Sequence, residues 1–177
     1  MRNYRIVLIP IAKILTTHGI KGELKISPLV SYSEILFQIK KFYLAKNKGN
    51  FLEVESIRKG PGYNIFLVKF KDIDFEEAQT LTKQTLYIDL EELPALEEDE
   101  FYYYQIIGFK VKDKDNFLWG EVKEIMPMGE YELILVKNQN GVEFYIPLIE
   151  EYVEEIDFQS KIILVKDIKD LVESQRL

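Results

Sequence analysis

The sequence predicts a mostly β protein, built as two small β-barrel domains joined by an acidic linker. Three observations carry that expectation. Apolar residues recur with a period of two, as in FLVKFK, where Phe66, Val68 and Phe70 alternate with Leu67, Lys69 and Lys71. Turn residues separate the apolar runs at intervals of about 8 to 12 residues, the spacing of small sandwiches and barrels. One segment, LEELPALEEDE, combines Pro94 with six acids and no base, so it reads as a self-repelling, solvated connection. These place a first domain at residues 1–90, a linker at 91–100 and a second domain at 101–177.

The elements follow in order. MRNYRIVLIPIAKIL has a short apolar core, Ile6 to Ile11, with no small-residue cleavage site after it, and so predicts a strand rather than a signal peptide. Thr16 to Gly19 is expected to form a turn. SEILFQIKK predicts a short helix capped by Ser33. Asn47-Lys48-Gly49-Asn50 separates KFYLAK from FLEVESI. DFEEAQTLTK predicts a helix over Asp74 to Lys83, with Asp74 as cap, Glu76 and Glu77 at its positive end, and Phe75, Ala78, Leu81 and Thr82 as the packed face. Asp113 to Asn116 lies between two further strands. Asn140-Gly141, a strong hairpin signal, lies between ELILVK and VEFYIPL, and IKDLVES ends the chain as a turn of helix.

Composition narrows the function classes. The chain has no cysteine and one histidine, which removes disulfides, thiolate zinc sites and a cysteine nucleophile. No apolar run reaches the roughly 18 to 20 residues that span a bilayer. A soluble, cytoplasmic protein is expected, monomeric and with no cofactor and no metal. Residues 1–94 carry 14 Lys and Arg against 11 Asp and Glu, and residues 95–177 carry 9 against 19. The first part, at +3, can approach nucleic acid; the second, at −10, suits a basic protein.

Four patterns could carry chemistry. In ILTTHGIKGELKI, His18 stands between two strands, beside Gly19, Lys21, Gly22 and Glu23. The loop is either a purely structural glycine turn or a ligand contact, and a His18–Glu23 acid-base pair would make it a small-molecule enzyme site. No nucleophile signature accompanies that pair. In SIRKGPGYN, Arg58 and Lys59 precede a Gly-Pro-Gly turn and Tyr63, an arrangement that fits either phosphate contact or a plain hairpin tip. The paired acids Glu91-Glu92, Glu97-Glu98 and Glu150-Glu151 read as solvated surface. The block Phe101-Tyr102-Tyr103-Tyr104 follows four acids. On a strand, Phe101 and Tyr103 would share one face and Tyr102 and Tyr104 the other, one face in a core and one at a domain seam or partner.

With these residues in view, the chain resembles the RimM ribosome maturation factors over nearly its whole length. HGIKGELKI is similar to the family's His-Gly-x-x-Gly-Glu signature. VESIRKGPGYNIFLVKFKDIDFEEAQTLTKQTLYI resembles the rest of its amino-terminal domain. EEDEFYYYQIIGFKV, GEVKEI, ELILVK and YIPLIEEYVEEIDFQSKIILV resemble its carboxy-terminal PRC-barrel domain. The resemblance implies a non-enzymatic assembly factor that binds the immature small ribosomal subunit and helps form its head. It implies as partners the nineteenth small-subunit ribosomal protein and neighbouring ribosomal RNA. It places partner binding on Phe101, Tyr102 and Tyr103. His18, Lys21, Arg58 and Lys59 are the candidates for RNA or ribosome contact. The sequence departs from the family pattern at Ala12 (often Gly), Phe101 (a Tyr), Gln105 (an acid) and Tyr131-Glu132 (an Asn-Asp pair).

Overall fold

The computed structural model describes residues 6–45 and 49–176, which divide into two compact units, residues 1–104 and 105–177. Of the turn expected at Asn47 to Asn50, residues 47 and 48 lie outside the described residues.

The first unit is a closed barrel of six strands. They are β1 (Leu8–His18), β2 (Glu23–Pro28), β3 (Lys41–Leu44), β4 (Phe51–Lys59), β5 (Phe66–Phe70) and β6 (Thr85–Asp89). The order around the barrel is β1-β2-β5-β4-β3-β6. Closure requires strands to coil, and β1 does so through two register shifts, one against β6 between Pro10 and Ala12 and one against β2 between Ile14 and Thr16. The core holds Ile11, Ile14, Leu24, Ile26, Phe42 and Phe70, all withdrawn from solvent. The alternation in FLVKFK holds for Phe66, Val68 and Phe70, but Leu67 is buried as well, so both faces of β5 are covered.

Helix α1 (Phe75–Leu81) lies within the expected span. The Asp74 carboxylate accepts the Glu77 N–H at 2.8 Å, and Ala78 and Leu81 are buried. The segment at Ser33 differs from expectation. It is a 3-10 helix over Ser33–Gln38, preceded by Tyr32, with no side-chain cap. Ile35 and Leu36 are adjacent buried residues, and burying both favours the tighter turn over a longer amphipathic helix.

The acidic segment keeps most of its acids in solvent but is not a free connection. After a 3-10 turn at Leu90–Glu92, Leu93 and Leu96 pack against the barrel core. The Glu97 N–H donates to the Glu100 carboxylate at 2.9 Å. Repulsion among acids acts on the exposed side of this segment, while the leucines between them supply apolar area that the barrel buries. Residues 101–104 fall in the first unit too. The four acids Glu97 to Glu100 therefore count with the barrel, and the charge split becomes 14 bases against 15 acids in residues 1–104 and 9 against 15 in residues 105–177.

The second unit is a six-stranded sheet of β7 (Lys110–Asp113), β8 (Leu118–Met128), β9 (Tyr131–Lys137), β10 (Glu143–Pro147), β11 (Val153–Asp157) and β12 (Ile162–Val165), with helix α2 (Lys169–Ser174). The order is β10-β9-β8-β7-β12-β11, antiparallel except for the parallel pair β7 and β12. The β7–β8 turn is tied by the Asp113 carboxylate, which accepts the N–H groups of Asp115 and Phe117. The β9–β10 loop spans residues 138–142 rather than a two-residue Asn-Gly turn. The Asn138 side-chain oxygen accepts from the Asn140 and Val142 N–H groups, and Gly141 takes φ +80°. Gly120 is obligatory: a Cβ there would stand 2.6 Å from the Lys137 carbonyl oxygen of the neighbouring strand.

Candidate functional site: a charged hairpin and an aromatic clasp

The turn expected over Thr16 to Gly19 starts later, because Thr16, Thr17 and His18 pair with Lys25, Leu24 and Glu23 in the ladder, and the tip of the β1–β2 hairpin is set by its glycines. Gly19 and Gly22 take φ of +68° and +94°, conformations that L side chains rarely adopt. A Cβ on Gly22 would come within 2.6 Å of the Ile73 carbonyl oxygen, which itself accepts a hydrogen bond from the Lys69 ammonium at 2.7 Å. The tip is thus braced against the loop leading into α1. Ile20 at its apex is 82% exposed, and His18 faces Glu23 across the register.

Glu23 is already engaged. Arg58 reaches it from β4 and donates two hydrogen bonds, Nε to Oε2 at 3.1 Å and Nη2 to Oε1 at 3.0 Å. Those bonds hold the Glu23 carboxyl below its ordinary value; the positive charges of Arg58, His18 and Lys21 act in the same sense, and partial burial opposes them. A carboxylate held this way is a poor general base. Arg58 thus bonds Glu23 directly, while His18 and Lys21 act on it only through charge. Lys59 does not join them. It pairs with Glu34 at 2.9 Å, and Tyr32 donates to the other oxygen of Glu34 at 3.0 Å. The Lys59 hydrogen bond is the main cause of a lowered Glu34 carboxyl, and the Tyr32 hydrogen bond to Glu34, with the Glu34 charge adding to it, raises the Tyr32 phenol. The Glu23–Arg58 pair, 35 residues apart, left no mark in the sequence, because it depends on β2 and β4 both flanking β5.

The aromatic block is a clasp rather than the start of a strand. Residues 29–31 and 101–103 form a short antiparallel pairing. Ser31 N–H donates to the Phe101 carbonyl at 2.9 Å, Tyr103 N–H to the Leu29 carbonyl at 3.0 Å, and Phe101 N–H to the Ser31 hydroxyl at 2.8 Å. Val30 and Tyr102 form the bridge between them. A 3-10 turn follows over Tyr103–Ile106. The expected pairing of alternate rings is present: Phe101 and Tyr103 have centroids 6.2 Å apart, and Tyr102 and Tyr104 6.4 Å apart. Phe101, Tyr102 and Tyr103 are only 7%, 4% and 3% exposed. Tyr102 belongs to the barrel core, and its hydroxyl donates to the Pro94 carbonyl. Burial, with the Tyr104 and Glu100 charges adding to it, pushes the Tyr102 phenol up to about 12. The small residues of SPLVS, which catch the clasp, were missed in the sequence; nothing in their pattern marks them as a docking edge.

Of the paired acids, Glu92 binds Lys41 at 3.2 Å, and Glu150 and Glu151 are exposed. Among the described residues no cluster of three or more His, Cys, Asp or Glu is arranged to hold a metal ion, and no helix is long and apolar enough to cross a membrane.

Two family models match in sequence order. The RimM N-terminal domain matches residues 9–93 and the RimM PRC barrel domain residues 103–171, so the six-stranded sheet of the second unit is of the PRC-barrel kind. The ribosome maturation factor RimM of Thermosipho melanesiensis is 33% identical over 89% of this chain and 90% of its own length. That of Clostridioides difficile is 32% identical over 92% and 95%. That of Oceanobacillus iheyensis is 34% identical over 88% and 92%. A crystal structure of a 16S ribosomal RNA processing protein RimM from Pseudomonas aeruginosa aligns with a TM-score of 0.45 at 26% identity, covering 90% of this chain and 97% of that one. Two domain matches in the family's order, together with full-length relatives above 30% identity, establish that this chain belongs to the RimM family of ribosome maturation factors.

Proposed function

We propose that the protein binds the immature small ribosomal subunit in the cytoplasm and assists formation of its head, acting by binding rather than catalysis. Its partners are the nineteenth small-subunit ribosomal protein and adjacent ribosomal RNA. The observation that carries this reading is the match to both domains of the maturation-factor family in their order. Charge supports the division of labour: the second unit carries 9 bases against 15 acids, which suits a basic ribosomal protein and repels RNA phosphates. A binding factor promotes assembly only through unequal affinity for the immature and mature states. Phe101, Tyr102 and Tyr103, being buried, serve the interaction by holding the barrel, the 93–100 segment and residues 29–31 in one arrangement. The enzyme reading loses ground because Glu23 is occupied by Arg58.

The test is binding of the full chain to purified immature and mature small subunits, and to the isolated nineteenth protein, at two salt concentrations. Tighter binding to the immature subunit and salt-sensitive binding to the isolated protein are expected. Equal affinity for both subunits would defeat the assembly role; no binding to the isolated protein would remove it as the partner.

A further inference from the structure

The lysines and arginines of the first unit fall into two sets. Those on β3, β4 and β5, and Lys71 just after β5, are neutralised in place. Lys41 pairs with Glu92, Arg58 with Glu23, Lys59 with Glu34, Lys69 with Glu55 and Lys71 with Glu53, at 2.9 to 3.8 Å. Among the described residues, Lys13, Lys21, Lys25, Lys40 and Lys83 have no ion-pair partner; three of these five lie on the β1–β2 hairpin, and Lys83 lies beside it. Lys13 lies on β1 opposite Ser27 of β2 and Thr85 of β6. Lys25 lies on β2 opposite Thr16, and Lys21 is at the hairpin tip. Lys83 is held beside β1 by its own N–H, which donates to the Ile14 carbonyl at 2.9 Å.

Acids are scarce on this face. Between Ile6 and Ser33 the only carboxylate is Glu23, and Arg58 occupies it. Asp74, near the braced tip, is used in capping α1, and Glu76 and Glu77 sit in that helix's first turn, where its positive end favours them. The neutral neighbours Thr16 and Thr85 are hydroxyl residues, and Leu15 and Ile20 are exposed. A lysine already held by a carboxylate must give up that bond to meet a phosphate, while an unpaired one does not. Lysine and hydroxyl contacts to a sugar-phosphate backbone position a protein without reading sequence.

We propose that the outer face of the β1–β2 hairpin, through Lys13, Lys21, Lys25 and Lys83, is the surface that meets RNA phosphates, and that Arg58 and Lys59 lie outside it. This rests on the ribosome-binding reading above and assigns its RNA side to a specific surface. The unit as a whole is slightly acidic, with 14 bases against 15 acids, so its attraction to RNA comes from this local concentration and not from net charge.

The experiment compares three full-length proteins for binding to purified immature small subunits across a salt series. They are the unaltered chain, a variant carrying Lys13→Gln, Lys21→Gln, Lys25→Gln and Lys83→Gln, and an equal-charge control carrying Lys41→Gln, Arg58→Gln, Lys59→Gln and Lys71→Gln. Each lost phosphate contact lowers the slope of log affinity against log salt by roughly 0.7 to 0.9. The hairpin variant is expected to lose about 3 units of slope and to bind at least about tenfold more weakly at low salt, with the control close to the unaltered chain. Four Lys→Arg changes at the hairpin positions are expected to restore binding. Melting temperatures check that each variant folds, and the Lys→Arg set keeps the test decisive if the Gln set does not. An unchanged slope in the hairpin variant, or an equal loss in the control, would overturn the surface while leaving the ribosome-binding reading intact. Failure of the unaltered chain to bind small subunits would overturn both. Lost binding to the isolated nineteenth protein, with the salt slope on subunits unchanged, would make the hairpin a protein contact and overturn the RNA assignment.

Discussion

Two side chains show how single residues serve this fold. Glu23 is held ionised chiefly by the Arg58 hydrogen bonds, so its folded-state carboxyl is lower than in the unfolded chain. The pair therefore contributes at neutral pH and above the ordinary carboxyl value of 4.5, and the contribution disappears as acid protonates the carboxylate below that value. Because Arg58 is well exposed, solvent screening keeps the contribution of the pair small. Glu23→Gln is expected to lower neutral-pH stability slightly and leave acid stability unchanged, which flattens the acid limb, as read by denaturant melts from pH 3 to 7. Tyr102 behaves oppositely. Its phenol is pushed up to about 12, so the folded state keeps a proton that the unfolded chain releases near 10, and stability falls with rising pH across that window. Tyr102→Phe keeps the ring but loses the bond to Pro94, and is expected to cost about 1 kcal/mol at neutral pH and to remove that alkaline loss. An alkaline melt that is identical in the two proteins would contradict the assignment.

At the scale of the elements, β10 is an edge strand, and such edges invite pairing with other chains. The side-chain amide of Gln175, just beyond α2, closes it. Its oxygen accepts the Tyr145 N–H at 2.8 Å, its nitrogen donates to the Tyr145 carbonyl at 2.9 Å, and the same nitrogen reaches the Leu171 carbonyl at 3.2 Å. One amide thereby imitates a paired strand residue, while Pro147 at the strand end has no N–H to offer. Gln175→Ala should speed hydrogen exchange at the Tyr145 amide about fivefold, since one hydrogen bond nets about 1 kcal/mol, without affecting amides of β10 that face β9. Elements of this kind were largely legible in the sequence: the capped helix at Asp74, the turn at Asp113 and the final helix all rest on local chemistry. The 3-10 form at Ser33 was not, because adjacent Ile35 and Leu36 take their burial from the barrel around them.

For the whole molecule, the place where the first unit ends changes the physical argument. Reading the acidic segment as a free linker gave a basic first part and a strongly acidic second one. Packing of Leu93, Leu96 and Tyr102 against the barrel core puts Glu97 to Glu100 on the first unit and removes its positive balance. A fragment ending at Glu100 is expected to be less stable than one ending at Tyr104. It loses the buried Tyr102 ring and the pairing with residues 29–31, a deficit on the order of the 3 to 5 kcal/mol seen when large aromatic side chains are removed from cores. Equal melting curves for the two fragments would return the boundary to the acidic segment.

The sequence by itself determined the β-rich class, most turns, the helix at Asp74 and the resemblance to a two-domain maturation factor, because period-two burial, cap residues and turn residues act over a few positions. Only the tertiary structure decided which charges remain available. Arg58 and Lys59 look free in the sequence and are tied to Glu23 and Glu34, while Lys13 and Lys25 on the β1–β2 hairpin and Lys83 beside it look ordinary and stand without ion pairs. The aromatic block likewise looked like the opening strand of a second barrel and is a clasp on the first. The reason is the same in each case. Whether a charge is paired or a ring is covered depends on neighbours brought across the barrel from tens of residues away, and no local pattern encodes them.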